Sequence, residues 1–302
     1  MLYNPFSPVD QQLRAQVLQK IRQFFAERGV LEVDTPLMAE APVTDPYLQA
    51  VQAKCMGKTY YLQTSPEYAM KRLLAAGSGS IYQICKAFRD EEQGRIHRAE
   101  FTMLEWYRVG LDDCQLMDET DALIQWVTGW PPANRFSYQA LFEQYLQINP
   151  HQASFETLQT LARKHMGDIP GLVHATSDDY LHLLMSAVIE PEIAKLDVVM
   201  IYDYPASQAA LARKKEVNGK LVAKRFEVYC RGVELANAYD ELTDVNEQRR
   251  RFEADLLRRQ QLNLPAVPVD EALLTAMAQG LPDCAGIALG LDRLLLFARQ
   301  SH

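Results

Sequence analysis

Two runs rich in apolar and aromatic residues, Ile81 to Arg89 and Glu100 to Val109, constrain the fold of this chain more than any other feature. Both partly alternate apolar with polar residues, which is the period of a β-strand. A polar stretch, Asp90 to Ala99, joins them, so the two strands are expected to pair as an antiparallel hairpin. That loop is longer than a tight hairpin needs, and over-long loops are where function concentrates. Side chains two apart on a strand share a face, so Phe101, Met103, Glu105 and Tyr107 point the same way. Such a face is either a solvated surface decorated with Glu and Tyr or a binding surface.

The flanks add helices and further strands. Leu13, Val17, Ile21, Phe24 and Phe25 recur on one face of a helix from Asp10 to Arg28, with Gly29 as its stop. Val30 to Thr35 reads as a strand closed by Pro36. Tyr60 to Thr64 is expected as a strand and Glu67 to Ala76 as a helix; Gly77 to Ser80 is a helix stop and turn. From Leu116 to about Pro191 the pattern is mostly helical. Strands return at Val198–Tyr202, Arg225–Cys230 and Val233–Tyr239. Two helices follow, Val245–Gln261 with an apolar stripe of Phe252, Leu256 and Leu257, and Asp270–Gln279. Gly286 to Arg293 then leads into an apolar helix. Hairpins and separate helices without regular βαβ alternation indicate an α+β fold on an antiparallel sheet flanked by helices.

Composition narrows the function classes. The chain has 302 residues, 48% of them hydrophobic, which is enough for a sizeable core. Its net charge of -8 excludes a general nucleic-acid coat, because phosphate binding needs a positive surface. The N-terminus lacks the basic start and apolar run of an export signal, and no apolar stretch is long enough to span a bilayer. The five scattered cysteines, without a CxxC pair, are expected to be buried reduced thiols of a cytoplasmic protein. A phosphate-binding GxxxxGK[ST] loop and a GxGxxG turn are both missing, so any nucleotide is held by another route.

That route is suggested by Phe88-Arg89-Asp90-Glu91 at a strand end, Phe101 on the returning strand, and Gly290-Leu291-Asp292-Arg293 at a strand-to-helix junction. Two guanidiniums converging on a triphosphate give permanent, fork-shaped contacts. These segments resemble the ordered motifs of class II aminoacyl-tRNA synthetases. Glu32-Val33-Asp34-Thr35-Pro36 resembles motif 1. Phe88 to Glu91, the loop with His97, and Glu100 to Tyr107 resemble motif 2, and Gly286 to Arg293 resembles motif 3. The resemblance runs from about Leu13 to the C-terminus, one catalytic domain over 1–302, and leaves no segment for an anticodon-binding domain. Thr64-Ser65-Pro66-Glu67-Tyr68, Met70-Lys71-Arg72-Leu73 and Glu234-Leu235-Ala236-Asn237 fit the lysyl subgroup. Tyr204 to Leu211 and Arg225 to Tyr229 fit a short, free-standing paralogue of the lysyl enzymes.

The resemblance implies ATP as co-substrate, Mg²⁺, and formation of an aminoacyl-adenylate. It implies that Arg89 holds the α-phosphate, that Asp90, Glu91, Arg98 and Leu235 belong to the ATP site, and that Glu91 meets the adenine amine. Phe101 and Arg293 would sandwich adenine, Gly290 would leave room for the nucleotide, and Glu234 and Glu241 would ligate the metal. Arg89 and Arg293 are the catalytic candidates. A diamino acid needs acceptors and counter-charges for two ammonium groups, and Ser65, Pro66, Glu67, Glu105, Tyr107 and Glu241 are the candidates. The chain departs from the family twice. Arg98-Ala99 stands where Asn-Pro is usual, and Ala288 stands where lysyl enzymes carry glycine, as in the paralogue.

For the acceptor, the paralogue implies (R)-β-lysine and a lysine of elongation factor P, with tRNA disfavoured and a homodimer built on motif 1. The alternatives are an enzyme charging tRNA or another acceptor, and a catalytically silent relic with a regulatory binding role. Arg213, Lys214, Lys215, Lys220, Lys224 and Arg225 against Glu216 form a basic stretch, either a solvated loop or a contact for an acidic partner.

Overall fold

The computed structural model describes residues 6–90, 98–167 and 175–298. Helix α1 (Pro8–Ala26) is capped by the Ser7 hydroxyl, which accepts from the Asp10 amide, and it buries Val17, Ile21, Phe24 and Phe25. Strands β1 (Leu31–Glu32), β2 (Met38–Ala39), β3 (Gln52–Cys55) and β4 (Lys58–Leu62) follow, then α2 (Glu67–Ala75). The hairpin is β5 (Ile81–Phe88) and β6 (Glu100–Val109), in register from Ile81 opposite Tyr107 to Phe88 opposite Glu100. Next come α3 (Asp113–Thr128), β7 (Asn134–Ser137), α4 (Tyr138–Leu146), α5 (Phe155–Met166) and α6 (Ser177–Leu184). A π-helical turn, Met185–Ile189, leads into α7 (Glu190–Ile193). The remainder is β8 (Val198–Pro205), β9 (Lys214–Val217), β10 (Lys220–Cys230), β11 (Val233–Asp240), α8 (Val245–Gln261), α9 (Glu271–Gly280), β12 (Cys284–Gly290) and α10 (Leu291–Ala298).

The main sheet runs β1-β5-β6-β12-β11-β10-β8-β7, with β9 added to β10; β2-β4-β3 form a small antiparallel sheet. Its centre is antiparallel, as the alternation predicts. Both edges are parallel, β1 on β5 and β7 on β8, which the sequence pattern did not reveal. Strand β7 was missed within the helical stretch because Asn-Arg-Phe-Ser carries almost no strand signal. The expected strand from Val30 to Thr35 pairs only at Leu31 and Glu32. Beyond them the Val33 amide donates to Tyr82 and the Thr35 hydroxyl to Gln83.

The two faces of the sheet are covered differently, and that difference makes the site. On one face Leu104 and Trp106 of β6 pack with α1, α3 and α10 in a continuous apolar layer, with Phe25 stacked on Tyr82. On the other face, α2, α8 and α9 cover one end through Met70, Leu74, Phe252 and Met277. Helices α4 to α7 cover the opposite end through Phe142, Leu158 and Leu184, packed on Ile201 of β8. Between these two helical clusters the second face carries a concave surface. From Thr102 to Tyr107 strand β6 is buried on both sides, which excludes a solvated sheet face.

Other expectations need correction. Leu257 is 61% exposed, so the stripe of α8 reduces to buried Phe252 and half-buried Leu256. Cys55 and Cys114 are exposed; only Cys85, Cys230 and Cys284 are buried, and all five are free. The basic stretch is neither a loop nor a uniform patch. It lies on the β9–β10 hairpin, where Arg213 pairs with Asp240 and Asp283, and Lys224 with Asp113 and Asp203. Lys214 and Lys215 are the exposed cations there. No helix among the described residues is long and apolar enough to cross a membrane.

Candidate active site

A cavity of about 460 Å³ occupies the uncovered part of the second face. Its walls come from Thr64 and Ser65 in the loop before α2, from Glu67 at the start of α2, and from Arg89, Arg98, Phe101 and Met103 around the β5–β6 hairpin. Strands β10 to β12 supply Arg225, Glu227, Glu234, Asn237, Ala288 and Gly290, and α10 supplies Arg293. Residues remote in sequence meet because β6, β12, β11 and β10 lie side by side. Met103 pairs with Gly290, Glu105 with Ala288, and Asn237 with Ala288 on the far side. The strand period brings Phe101 and Met103 into the cavity wall and carries Glu105 and Tyr107 beneath it.

One end is acidic. The Ser65 hydroxyl donates to Glu105 at 2.7 Å and accepts the Glu67 amide at 3.0 Å. The Tyr107 hydroxyl donates to the other Glu105 oxygen at 2.6 Å. Lys71, only 2% exposed, lies one turn along α2 and contacts Glu67 at 2.5 Å and Glu241 at 2.7 Å. Glu67 and Glu241 therefore share one ammonium, while Glu105 is held by Ser65 and Tyr107. Burial, reinforced by Glu67, pushes the Glu105 carboxyl up to about 8, against the pull of Tyr107, Ser65 and Lys71. Burial also pushes Glu241 up to about 8, with Lys71 opposing. Lys71 stays a cation despite its burial, because both carboxylates raise its pKa.

Glu241 is 0% exposed and is given to Lys71 rather than to the cavity. Its carboxylate is thus ill placed to ligate a metal in this arrangement, and it forms the floor under the acidic end. The glycine required by close approach is Gly286, where a Cβ would overlap the Tyr107 ring and the Glu241 carboxylate. At Gly290 a Cβ would meet only ordinary contacts, the nearest being Arg293 at 3.5 Å, so the space it leaves lies toward the cavity. Pro66 sits outside the wall as the residue capping α2.

The other end is rich in guanidiniums. Arg89 lies over the Phe101 ring at 5.2 Å. Arg293 donates to the Glu234 carbonyl at 2.6 Å. Arg225 binds Glu227, donates to Asn237 at 3.1 Å and to the Gln208 carbonyl at 3.0 Å, and lies 4.7 Å over the Tyr204 ring. Tyr204 and Tyr229 each donate to Glu227, at 2.6 and 2.7 Å. Burial alone would raise Glu227, but Arg225 and these hydroxyls hold it below the ordinary carboxylate range. Glu234 remains solvent-accessible, yet it is recessed among protein atoms beside Glu227. Those two effects outweigh Arg293, Arg225 and Arg89 and push it up to about 7. Its accessible carboxylate fits a hard cation such as Mg²⁺.

Of the residues expected from sequence, Ser65, Glu67, Arg89, Arg98, Phe101, Glu234, Leu235, Gly290 and Arg293 line one cavity. Glu105, Tyr107 and Glu241 lie directly behind its acidic end. Asp90 is exposed and forms a bridge to Gln49 outside the wall. Glu91 and His97 lie outside the described residues. Sequence reasoning missed roles for Lys71, Arg225, Glu227 and Asn237. A signal existed for two of them, since Arg225 and Glu227 alternate on a strand where an apolar pair would otherwise be expected.

Comparison with known proteins agrees with this geometry. The family described as tRNA synthetases class II (D, K and N) matches residues 6–302. A Mannheimia succiniciproducens protein named elongation factor P–(R)-β-lysine ligase is 47% identical over 96% of this chain and 90% of its own length. Proteins of the same name from Vibrio atlanticus (49%, covering 94% and 90%) and Edwardsiella ictaluri (48%, covering 99% and 94%) are equally similar. With the match covering nearly the whole chain and the motif residues gathered around one cavity, the protein belongs to the class II tRNA synthetase family of the D, K and N type.

Proposed function

We propose that the protein is an ATP-dependent ligase that activates (R)-β-lysine as an aminoacyl-adenylate and transfers it to the ε-amine of a lysine on elongation factor P. The observation that carries this reading is the polarity of the cavity, acidic at one end and guanidinium-rich at the other. A diamino acid sets its ammonium groups toward Glu67 and Glu105 and its carboxylate toward Arg89. The carboxylate oxygen attacks the α-phosphorus and pyrophosphate leaves. Arg89 neutralises charge building on the α-phosphate, and Phe101 with Arg293 holds the base. Mg²⁺, held by Glu234, would neutralise phosphate charge when bound. The acceptor amine then attacks the carbonyl carbon, the C–N bond forms, and AMP leaves with the electrons of the C–O bond. Positioning and charge stabilisation suffice, because the adenylate is already activated.

The relatives' names support this choice of substrate and acceptor, as does Ala288 in the cavity wall. The chain acts as one catalytic unit in a cytoplasmic homodimer joined through α1 and the edge strand β1, where Val9 and Leu31 stand exposed. Dimer mass in light scattering at micromolar concentration supports this; a monomer mass contradicts it. The functional test is pyrophosphate exchange with (R)-β-lysine, followed by labelled transfer to elongation factor P or tRNA. Transfer to the protein alone is expected. Charging of tRNA alone would replace this reading with a synthetase, and failure of every diamino acid in exchange would leave a silent relic.

A further inference from the structure

A second cavity, about 470 Å³, adjoins the first: Glu227 and Glu234 belong to the walls of both. It opens between β8, β10 and the helical segment around the π-helical turn Met185–Ile189. π-helical turns interrupt the regular ladder and recur at functional sites. The sides are those of a slot for an aliphatic cation. Tyr204, Tyr229 and Leu183 offer aromatic and apolar surface, and Asp179, Glu190, Glu227 and Glu234 supply carboxylates beside His182 and Ser186. Neither lysine nor arginine lines it among the described residues.

One further observation points to a cationic ligand. Glu190, half-buried in this wall, makes no ion pair with a cation among the described residues, unlike Asp179 at the rim, which pairs with Arg258. Tyr138, 1% exposed, also belongs to this wall, with its hydroxyl set against the Gln208 side chain.

We propose that this second cavity is the entry through which the alkylammonium side chain of the acceptor lysine reaches the adenylate, an inference that rests on the function proposed above. The stem lies along the tyrosine wall, Glu190 meets the ammonium on the way in, and the slot delivers the nitrogen to the middle of the main cavity at Glu234. The ammonium loses one proton through the acidic wall to solvent and becomes a nucleophile. It loses a second as the amide forms and AMP departs. Diamino acid and ATP occupy the main cavity throughout, so the first half-reaction does not use this entrance.

The test separates the two half-reactions. Ser186 is exposed at the mouth of the slot, so Ser186→Trp should fold normally while obstructing entry. Glu190→Gln removes the charge and keeps the shape. Pyrophosphate exchange within about two-fold of wild type is expected for both, and it also reports correct folding. Transfer to elongation factor P should fall at least about ten-fold in kcat/KM, while capture of the adenylate by hydroxylamine, a probe small enough to enter from elsewhere, stays near normal. Unchanged protein transfer in both variants overturns this inference alone. Loss of exchange in parallel with transfer also overturns it, because the slot would then serve the first step. A wild-type protein that forms adenylate yet modifies no protein lysine overturns both this inference and the function on which it rests.

Discussion

At the Glu105 end of the cavity, Glu67 and Glu241 pair with the single ammonium of Lys71, and Glu105 is held by the Ser65 and Tyr107 hydroxyls. At the Arg293 end, four guanidiniums, Arg89, Arg98, Arg225 and Arg293, line the wall together with Glu227, Glu234 and Asp292. The ends also differ in how their charges are held. Glu105 and Glu241 are almost fully buried, whereas Arg293 and Glu234 stand open to the cavity. The difference teaches that carboxyl groups gather at one end of the cavity and guanidiniums at the other. A ligand with ammonium groups at one end and phosphates at the other matches that arrangement.

Substitutions that break one end should leave the other intact. The largest effect is expected from Arg89→Ala, about 100- to 1000-fold lower pyrophosphate exchange with an unchanged melting temperature, since a preorganised charge opposite the reacting phosphate is lost. Near-normal exchange would remove Arg89 from the chemistry. Lys71→Met should instead act on stability, by about 3–5 kcal/mol in chemical denaturation, because Glu67 and Glu241 are left buried without a counter-ion. A loss under about 1 kcal/mol would mean that the carboxylates simply take up protons. Glu105→Gln keeps the shape and removes the charge. The KM for the diamino acid should rise about ten- to hundred-fold, with little change in the KM for ATP. Equal effects on both KM values would contradict the division into two ends.

The smallest expected effect is a pH dependence. Glu105 and Glu241 have folded pKa values raised from 4.5 to about 8, so the folded state holds protons that the unfolded state releases. Stability of the free protein should therefore fall as pH rises from about 4.5 toward about 8. Over pH 6.5 to 8 the affinity for a diamino acid should move the other way, rising as the carboxylates ionise to meet the ammonium groups. Calorimetric titrations at several pH values check this, and an affinity that is flat or falls over that window would contradict it.

Much of the frame was legible in the chain. The β5–β6 hairpin begins and ends within a residue of where the alternation places it, and the buried stripe of α1 is the one read from its spacing. Family motifs led to most of the cavity wall. What stayed hidden depends on burial and on partners distant in sequence. Lysine is seldom fully buried, so nothing local marks Lys71 as the counter-ion of an acidic cluster. Glu241 reads as a metal ligand or a substrate acceptor until β11 and β12 bring it under Gly286 and onto Lys71. The short edge strands β1 and β7 are fixed by neighbours rather than by their own residues, which is why the first was over-extended and the second missed.

The acidic end is tested most directly by comparing binding of (R)-β-lysine with that of its analogue lacking the terminal amine, in the presence of a non-hydrolysable ATP analogue. Binding of the diamino acid at least about a hundred-fold tighter, and loss of that preference in Glu105→Gln, is the expected result. Equal affinity for the two ligands, or a preference that survives in Glu105→Gln, would show that the acidic end of the cavity does not select the substrate.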